Sequence, residues 1–127
     1  MPYITLLVFL LIATTFEPAS AQTKNSYMRI AKLVIDSAQL EEYRAALKEH
    51  IETAVRVEPG VLSLNAVYEK NNPTHITVFE VYADEQAYTA HLQAPHFKKY
   101  KSTTQKMVKS LELIEVVPID SEAKPSL

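Results

Sequence analysis

Residues 80 to 97 read Glu-Val-Tyr-Ala-Asp-Glu-Gln-Ala-Tyr-Thr-Ala-His-Leu-Gln-Ala-Pro-His-Phe. Glu80 and Tyr82 are two apart, so an extended segment puts them on one face, and a helix opening at Asp84 would bring His91 and then His96 in behind them. A carboxylate, a phenol and two imidazoles at this spacing imply a small pocket with acid/base capacity. The chain has four histidines and no cysteine, which removes disulfides, thiolate metal sites and cysteine nucleophiles together. His91 and His96 are five apart, roughly 140° around a continuous helix, and Pro95 interrupts even that; they do not form the i, i+4 pair of a zinc helix. A structural metal is set aside on that ground.

These residues need a scaffold, and the hydrophobic periodicity supplies one. Met28 to Asp36 is β-branched and apolar with two charges, Arg29 and Lys32, and reads as a strand buried on much of both faces. Asp36 and Ser37 offer an N-cap, with Gln39 in the capping-box position. Leu40, Tyr43, Leu47, Ile51, Ala54 and Val55 then recur at three and four, an amphipathic helix of about five turns with His50 on or beside its inward face. Glu58-Pro59-Gly60 stops it, the only glycine of the chain permitting a positive φ.

A second strand, Val61 to Tyr68, alternates Leu62, Leu64, Ala66 and Tyr68 against Val61, Ser63, Asn65 and Val67. The loop 69–74 carries Asn71-Asn72-Pro73, and a third strand, His75 to Tyr82, puts Ile76, Val78, Glu80 and Tyr82 on one side and Thr77, Phe79 and Val81 on the other. His75 is expected to be solvent exposed. Asp84 caps a short helix sharing Ala87, Tyr88, His91 and Leu92 on one face; Pro95 breaks it, and a second segment runs from His96 through Phe97, Tyr100, Met107, Val108 and Leu111. Glu112 to Ile119 is the expected fourth strand, and residues 120–127 a disordered polar tail.

The order strand, helix, strand, strand, helix, strand is the split β-α-β pattern of a ferredoxin-like α+β fold, with two helices on one face of a four-stranded antiparallel sheet. Its other face needs a cover, and a second subunit packing sheet to sheet would provide one. The chain has 127 residues and begins with an apolar run from Ile4 to Ala13, too short to span a bilayer, followed by Ala19-Ser20-Ala21 in the small-x-small form that signal peptidase cuts. Export is therefore expected, with residues 1–21 a signal peptide, 22–119 one folded domain, and no stable membrane association after cleavage. Removing Glu17 with the leader leaves 13 basic and 14 acidic residues, interspersed rather than gathered into a basic stripe, so nucleic acid is not an expected partner.

Glu58-Pro59-Gly60-Val61-Leu62, the Pro73 loop, Glu80 to Tyr88 and His91-Leu92-Gln93-Ala94-Pro95-His96-Phe97 together resemble the antibiotic biosynthesis monooxygenase superfamily, in its quinol monooxygenase branch, over Met28 to about Val117. The resemblance implies a dimeric α+β barrel and, between helices and sheet, a pocket in which a phenol or hydroquinone meets O2 without metal or flavin. It points to the Glu80 and Tyr82 strand end, His91 and His96 as pocket elements; His50 and Asn65 are added from the residue pattern. His91 is the first choice for general base, because an imidazole with a reference pKa of ~6.5 both accepts and returns a proton near neutrality. A helix-face histidine bonding across the sheet is the competing reading. Glu80 could orient an imidazole or pair with Arg29 or Lys32. Tyr82, Tyr68 and Tyr88 could hydrogen-bond a substrate oxygen or serve only as core and rim. His96 could touch substrate or cap its helix, and Asn65 could orient a carbonyl or face a partner subunit. Haem-degrading relatives place a Trp where His91 stands and an iron-binding His where Lys101 stands; this chain has no Trp.

Three functions remain open at this level. The first is an exported, cofactor-independent monooxygenase acting on a small quinol or polyphenol with O2. The second is an isomerase or tautomerase in which the same histidine moves a proton on a keto compound. The third is a non-catalytic dimeric module that binds a small aromatic molecule.

Overall fold

The computed structural model describes residues 26–126; the expected signal peptide lies outside them. Four strands, β1 (Tyr27–Ile35), β2 (Val61–Glu69), β3 (Asn72–Tyr82) and β4 (Val108–Val116), form one antiparallel sheet in the order β2-β3-β1-β4. Three helices, α1 (Leu40–Val57), α2 (Glu85–Gln93) and α3 (Pro95–Thr104), connect them, with 3₁₀ turns at Ser37–Gln39 and Gln105–Met107. This is the split β-α-β fold expected. No helix of the described residues is long and apolar enough to cross a membrane.

Local chemistry accounts for the boundaries. The Asp36 carboxylate accepts from Ala38 N at 3.1 Å, capping the 3₁₀ turn that feeds α1, and Asp84 accepts from Ala87 N at 2.8 Å to cap α2. In α1 the buried stripe is Tyr43, Leu47, His50 and Ala54, spaced four, three and four apart, so His50 sits in its middle. Val55, expected inward, is 43% exposed. The core on this side joins Ala31, Leu33 and Ile35 of β1 to Ile76 and Val78 of β3, Tyr43 and Leu47 of α1, and Met107. Tyr43 has no exposed surface, and its hydroxyl is 2.6 Å from that of Tyr100 on α3, which satisfies a phenol that would otherwise cost ~1–3 kcal/mol to bury.

Some details differ from the sequence expectation. The β2–β3 hairpin is tighter than the loop 69–74, because Glu69 already pairs with Asn72 and Pro73 lies within β3. β4 begins at Val108 and ends at Val116, so Val108 and Leu111 belong to a strand rather than to the preceding helix. The edge position explains the misreading: β4 pairs only with β1, and its leucines are half exposed, which blurs the period-two signal. An irregularity in the ladder between Val61 and Ser63 turns Val61 to the helix side, against Ala54, Leu64 and Tyr82, and leaves Leu62 with Met28, Phe79 and Val81 on the other face. From Ser63 onward the expected alternation holds. Residues 120–126 carry neither helix nor strand and are exposed, and Pro118, Asp120 and Ser121 lie against the sheet face that the helices leave open.

Gly60 has a reason other than the one its type implied. No described residue has a positive φ; instead a Cβ at position 60 would stand 2.5 Å from the Ala87 Cβ, so the glycine lets α2 approach the end of α1. Gly60→Ala is expected to destabilise by ~1–3 kcal/mol through overpacking. Urea denaturation of the single variant and of Gly60→Ala with Ala87→Gly checks this, since the second change removes the clash and should recover much of the loss.

Candidate active site

A cavity of about 320 Å³ lies between the helices and the sheet. Leu33, Leu47, Ile51, Leu64 and Val78 give it apolar walls, and His50, Glu80, Tyr88, His91 and Tyr100 reach it with polar groups. Apolar walls with polar groups set among them are the usual make-up of a small-molecule site.

His91 occupies the last turn of α2 and is 2% exposed. Around its ring stand Tyr82 (centroids 5.4 Å apart), Phe97 (5.2 Å), His50 (5.1 Å) and His96 (6.0 Å). Its Nδ1 lies 2.7 Å from Oε2 of Glu58, and Nε2 of His96 lies 2.6 Å from the same oxygen. An ionised carboxylate only accepts, so both nitrogens donate, and the proton-accepting atom left on His91 is Nε2. This is a histidine held in one tautomer by a carboxylate, in a ring that lines the cavity.

Pro95 makes this possible. Ala94 ends α2 and starts α3 in an extended conformation (φ −66°, ψ 142°), the geometry a following proline favours, and Pro95 occupies the first turn of the new helix. The resulting change of direction brings His96 back toward His91. The ground on which a metal was set aside thus fails: the interruption converges the two histidines, and ligand-type atoms of Glu58, His91 and His96 lie within 4.8 Å of one another. The contacts themselves are hydrogen-bonding distances. Two ligand atoms on a metal at ~2.0–2.2 Å would stand roughly 3 Å or more apart, so the trio as arranged is a carboxylate bridge between two imidazoles.

Glu80 lines the cavity, and the Tyr82 hydroxyl donates to its Oε1 at 2.5 Å. Burial raises the Glu80 pKa, the Tyr82 bond working against the rise, and burial together with that carboxylate drives the Tyr82 phenol up. Tyr82 is fully buried and acts on the cavity through Glu80 rather than by lining it. Neither expected cation pairs with Glu80 among the described residues. Lys32 pairs in register with Thr77 and lies on the opposite face, and the Arg29 guanidinium bonds Tyr27 Oη at 3.1 Å and covers the Tyr88 ring at 4.7 Å.

His50 is 6% exposed and lines the cavity, its ring stacked 4.7 Å from Tyr100. Burial, with the two neighbouring imidazoles, pushes its pKa down to about 4. A folded-state value below the unfolded ~6.5 means the unfolded chain binds the proton first, so stability is complete above pH 6.5 and is lost as pH falls toward 4. The loss is of order 2–3 kcal/mol over that interval. Chemical denaturation at pH 7.5 and 4.5 of the wild type and of His50→Phe checks it: the variant is expected to lose less stability on acidification.

Asn65 and Tyr68 do not reach this cavity. Asn65 pairs in register with Phe79 and is exposed on the face away from the helices, whereas Tyr68, 54% exposed, lies at the far end of β2 with Arg44 stacked 4.0 Å above its ring. His96 touches Glu58 and does not line the cavity. His75 is 44% exposed in its side chain and lies 3.4 Å from Glu69. Glu58 is the residue that sequence reasoning missed. Its signal was its place: a carboxylate at a helix C-terminus faces the negative end of the dipole, an unfavourable position that donors from elsewhere in the fold offset.

The model of the family described as "Antibiotic biosynthesis monooxygenase" matches residues 26–103. A crystal structure from Bacteroides thetaiotaomicron, provisionally assigned as an antibiotic biosynthesis monooxygenase, is 50% identical, with 82% of this chain and 99% of that chain covered and a TM-score of 0.78. A provisionally assigned monooxygenase from Lactobacillus acidophilus is 33% identical over 74% of this chain and 45% of its own length, with a TM-score of 0.72. A Nitrosomonas europaea protein, 18% identical with a TM-score of 0.71 over 76% of this chain and 92% of that one, shares the fold. No curated protein matches the chain. With most of the folded region matched and a half-identical relative covered nearly end to end, this chain belongs to the antibiotic biosynthesis monooxygenase family.

Proposed function

We propose that the protein oxidises a small quinol or polyphenol with O2, without metal or flavin, and that His91 is the general base. The observation that carries this reading is the Glu58-bound His91 ring in the wall of an apolar cavity. His91 Nε2 removes the O–H proton of the bound phenol, and the electron-rich phenolate gives one electron to O2. Superoxide and the phenoxyl radical join at a ring carbon to form a hydroperoxide. Cleavage of its O–O bond, with the ring C–H proton leaving, gives a carbonyl and water. The balance is one hydroquinone and one O2 to one hydroxyquinone and one water. The protein supplies position, proton transfer and exclusion of water, and a substrate that is itself a strong reductant supplies the electrons.

The wider reading includes export, from the leader-like first 21 residues, and a homodimer through the sheet face that the helices leave open, where Phe79 and Val67 are exposed. An oxygen electrode with 1,4-dihydroxybenzene tests the reaction. One O2 per quinol is expected, with one atom of ¹⁸O2 in the product. No uptake above autoxidation sinks the oxygenase, and substrate turnover without oxygen transfers the same histidine to isomerase chemistry.

A further inference from the structure

Beyond the hydroxyl that meets His91, the cavity also specifies something about the rest of its guest. Three formally charged side chains line it: Glu80, Lys101 and Lys109. Two lysines against one carboxylate leave it positive, in a chain whose net charge is −2. Burial also favours the neutral form of that carboxylate.

The two lysines come from different elements. On α3, Phe97, Tyr100, Lys101 and Thr104 recur at three and four and make up the cavity side of the helix, with Phe97 beside His91. Lys101 is thus one turn, ~5–6 Å, farther along the cavity than Phe97. On β4, Leu111 and Leu113 share one face, pairing with Leu33 and Ala31, and Lys109 lines the cavity from the ladder irregularity between Val108, opposite Ile35, and Ser110, opposite Val34. β4 is the sheet edge, and Leu111 and Leu113 are 43% and 50% exposed, so the cavity opens on this side between α3 and β4. Gln105 and Ser110 also line the cavity and add hydrogen-bonding groups.

Neither lysine is spoken for. Among the described residues Lys101 and Lys109 have no ion-pair partner, whereas Lys48 and Lys99 do, with Glu52 and Glu49. The residues three and four from Lys101 along the chain, Phe97, Lys98, Thr104 and Gln105, include no acid. On the cavity face of β4 the first acid is Glu115, opposite Arg29 at the other end of the strand.

We propose that the cavity selects one- or two-ring aromatic acids, the carboxylate held by Lys101 and Lys109 at the open end while a phenolic hydroxyl reaches His91. The inference rests on the proposed function only for what happens at that hydroxyl; the charge selection is a property of binding.

Anaerobic binding titrations with matched probes test it: 2,5-dihydroxybenzoate against 1,4-dihydroxybenzene, and 1,4-dihydroxy-2-naphthoate against 1,4-dihydroxynaphthalene. The acid of each pair is expected to bind about tenfold more tightly, a preference that weakens as salt is raised, as partly exposed charge pairs do. In Lys101→Gln/Lys109→Gln the preference should fall to within about twofold, and in Lys101→Arg/Lys109→Arg it should persist. Circular dichroism keeps folding in view, and both positions are exposed. Equal affinity for acid and neutral probes, or an acid preference that survives the double glutamine variant, overturns the proposal. If the neutral quinol is oxidised but the acid is not preferred, only this inference falls; if the acid is preferred but no O2 is consumed, the reaction falls and the selection stands.

Discussion

His91→Ala is expected to lower kcat for O2-dependent oxidation of 1,4-dihydroxybenzene by ~10²–10⁴-fold, the usual contribution of a positioned proton acceptor. The ring is buried, and alanine would leave both a void and a Glu58 oxygen with one donor fewer. His91→Asn separates chemistry from architecture: its amide can donate to Glu58 much as Nδ1 does, and it has no atom that replaces the basic Nε2. Both variants should lose kcat to a similar degree with little change in KM, while Asn retains more of the stability in urea denaturation. Imidazole in the buffer should restore part of the alanine variant's rate by occupying the space the ring leaves. An asparagine variant with more than about a tenth of wild-type kcat would remove His91 from the role of base.

The sheet and helices were legible because their signals are local and strong. The Leu40-to-Ala54 period, the Asp84 cap, the Pro95 break and the alternation of β3 each identify an element without reference to any other, and their order specified a ferredoxin-like α+β architecture. The family followed from motifs lying in those same elements. What escaped depends on register and direction, which a single strand or helix does not carry. The irregularity at Leu62 exchanges two apolar residues of similar type between faces, and neither spelling of the strand prefers one. Edge strand β4 buries so little of either face that its first residues, Val108 and Leu111 among them, read as the end of a helix. At the site, His91, Glu80 and Tyr82 were placed together from the sequence because they share one strand end and the helix that follows it. Glu58 was not, since it comes from the far end of α1, 33 residues before His91, and meets it only when α1 and α2 pack across Gly60. Tyr68 was overvalued for the converse reason: it shares the helix-side face with Leu64 but lies four residues farther along β2, beyond the cavity.

Glu58 accordingly carries the second large effect. It caps α1, its backbone N–H reaching Ala54 O, and its Oε2 accepts from two imidazoles that are 2% and 14% exposed in their side chains. Glu58→Ala leaves two largely buried N–H groups without an acceptor, each worth ~1–3 kcal/mol, and is expected to destabilise by about 2–4 kcal/mol in total. For a domain of this size that lowers Tm by about 10 °C or more. Glu58→Gln keeps the shape and, with its amide oxygen in the place of Oε2, an acceptor for both imidazoles, but a neutral one that binds each N–H less strongly than the carboxylate. Its stability loss should be smaller than that of alanine, but the charge that favours the Nδ1–H tautomer of His91 and raises the basicity of its Nε2 is gone, and kcat should fall ~10–100-fold, as when a ligand histidine loses its orienting carboxylate. Adding His96→Ala distinguishes a shared bridge from two separate bonds. If the bridge is shared, the cycle of Glu58→Ala and His96→Ala shows a coupling of ~0.5–3 kcal/mol, and in His96→Ala the undivided carboxylate still orients His91, preserving most of kcat. A Glu58→Gln variant with unchanged kcat would mean that the carboxylate stabilises the fold and has no part in proton transfer.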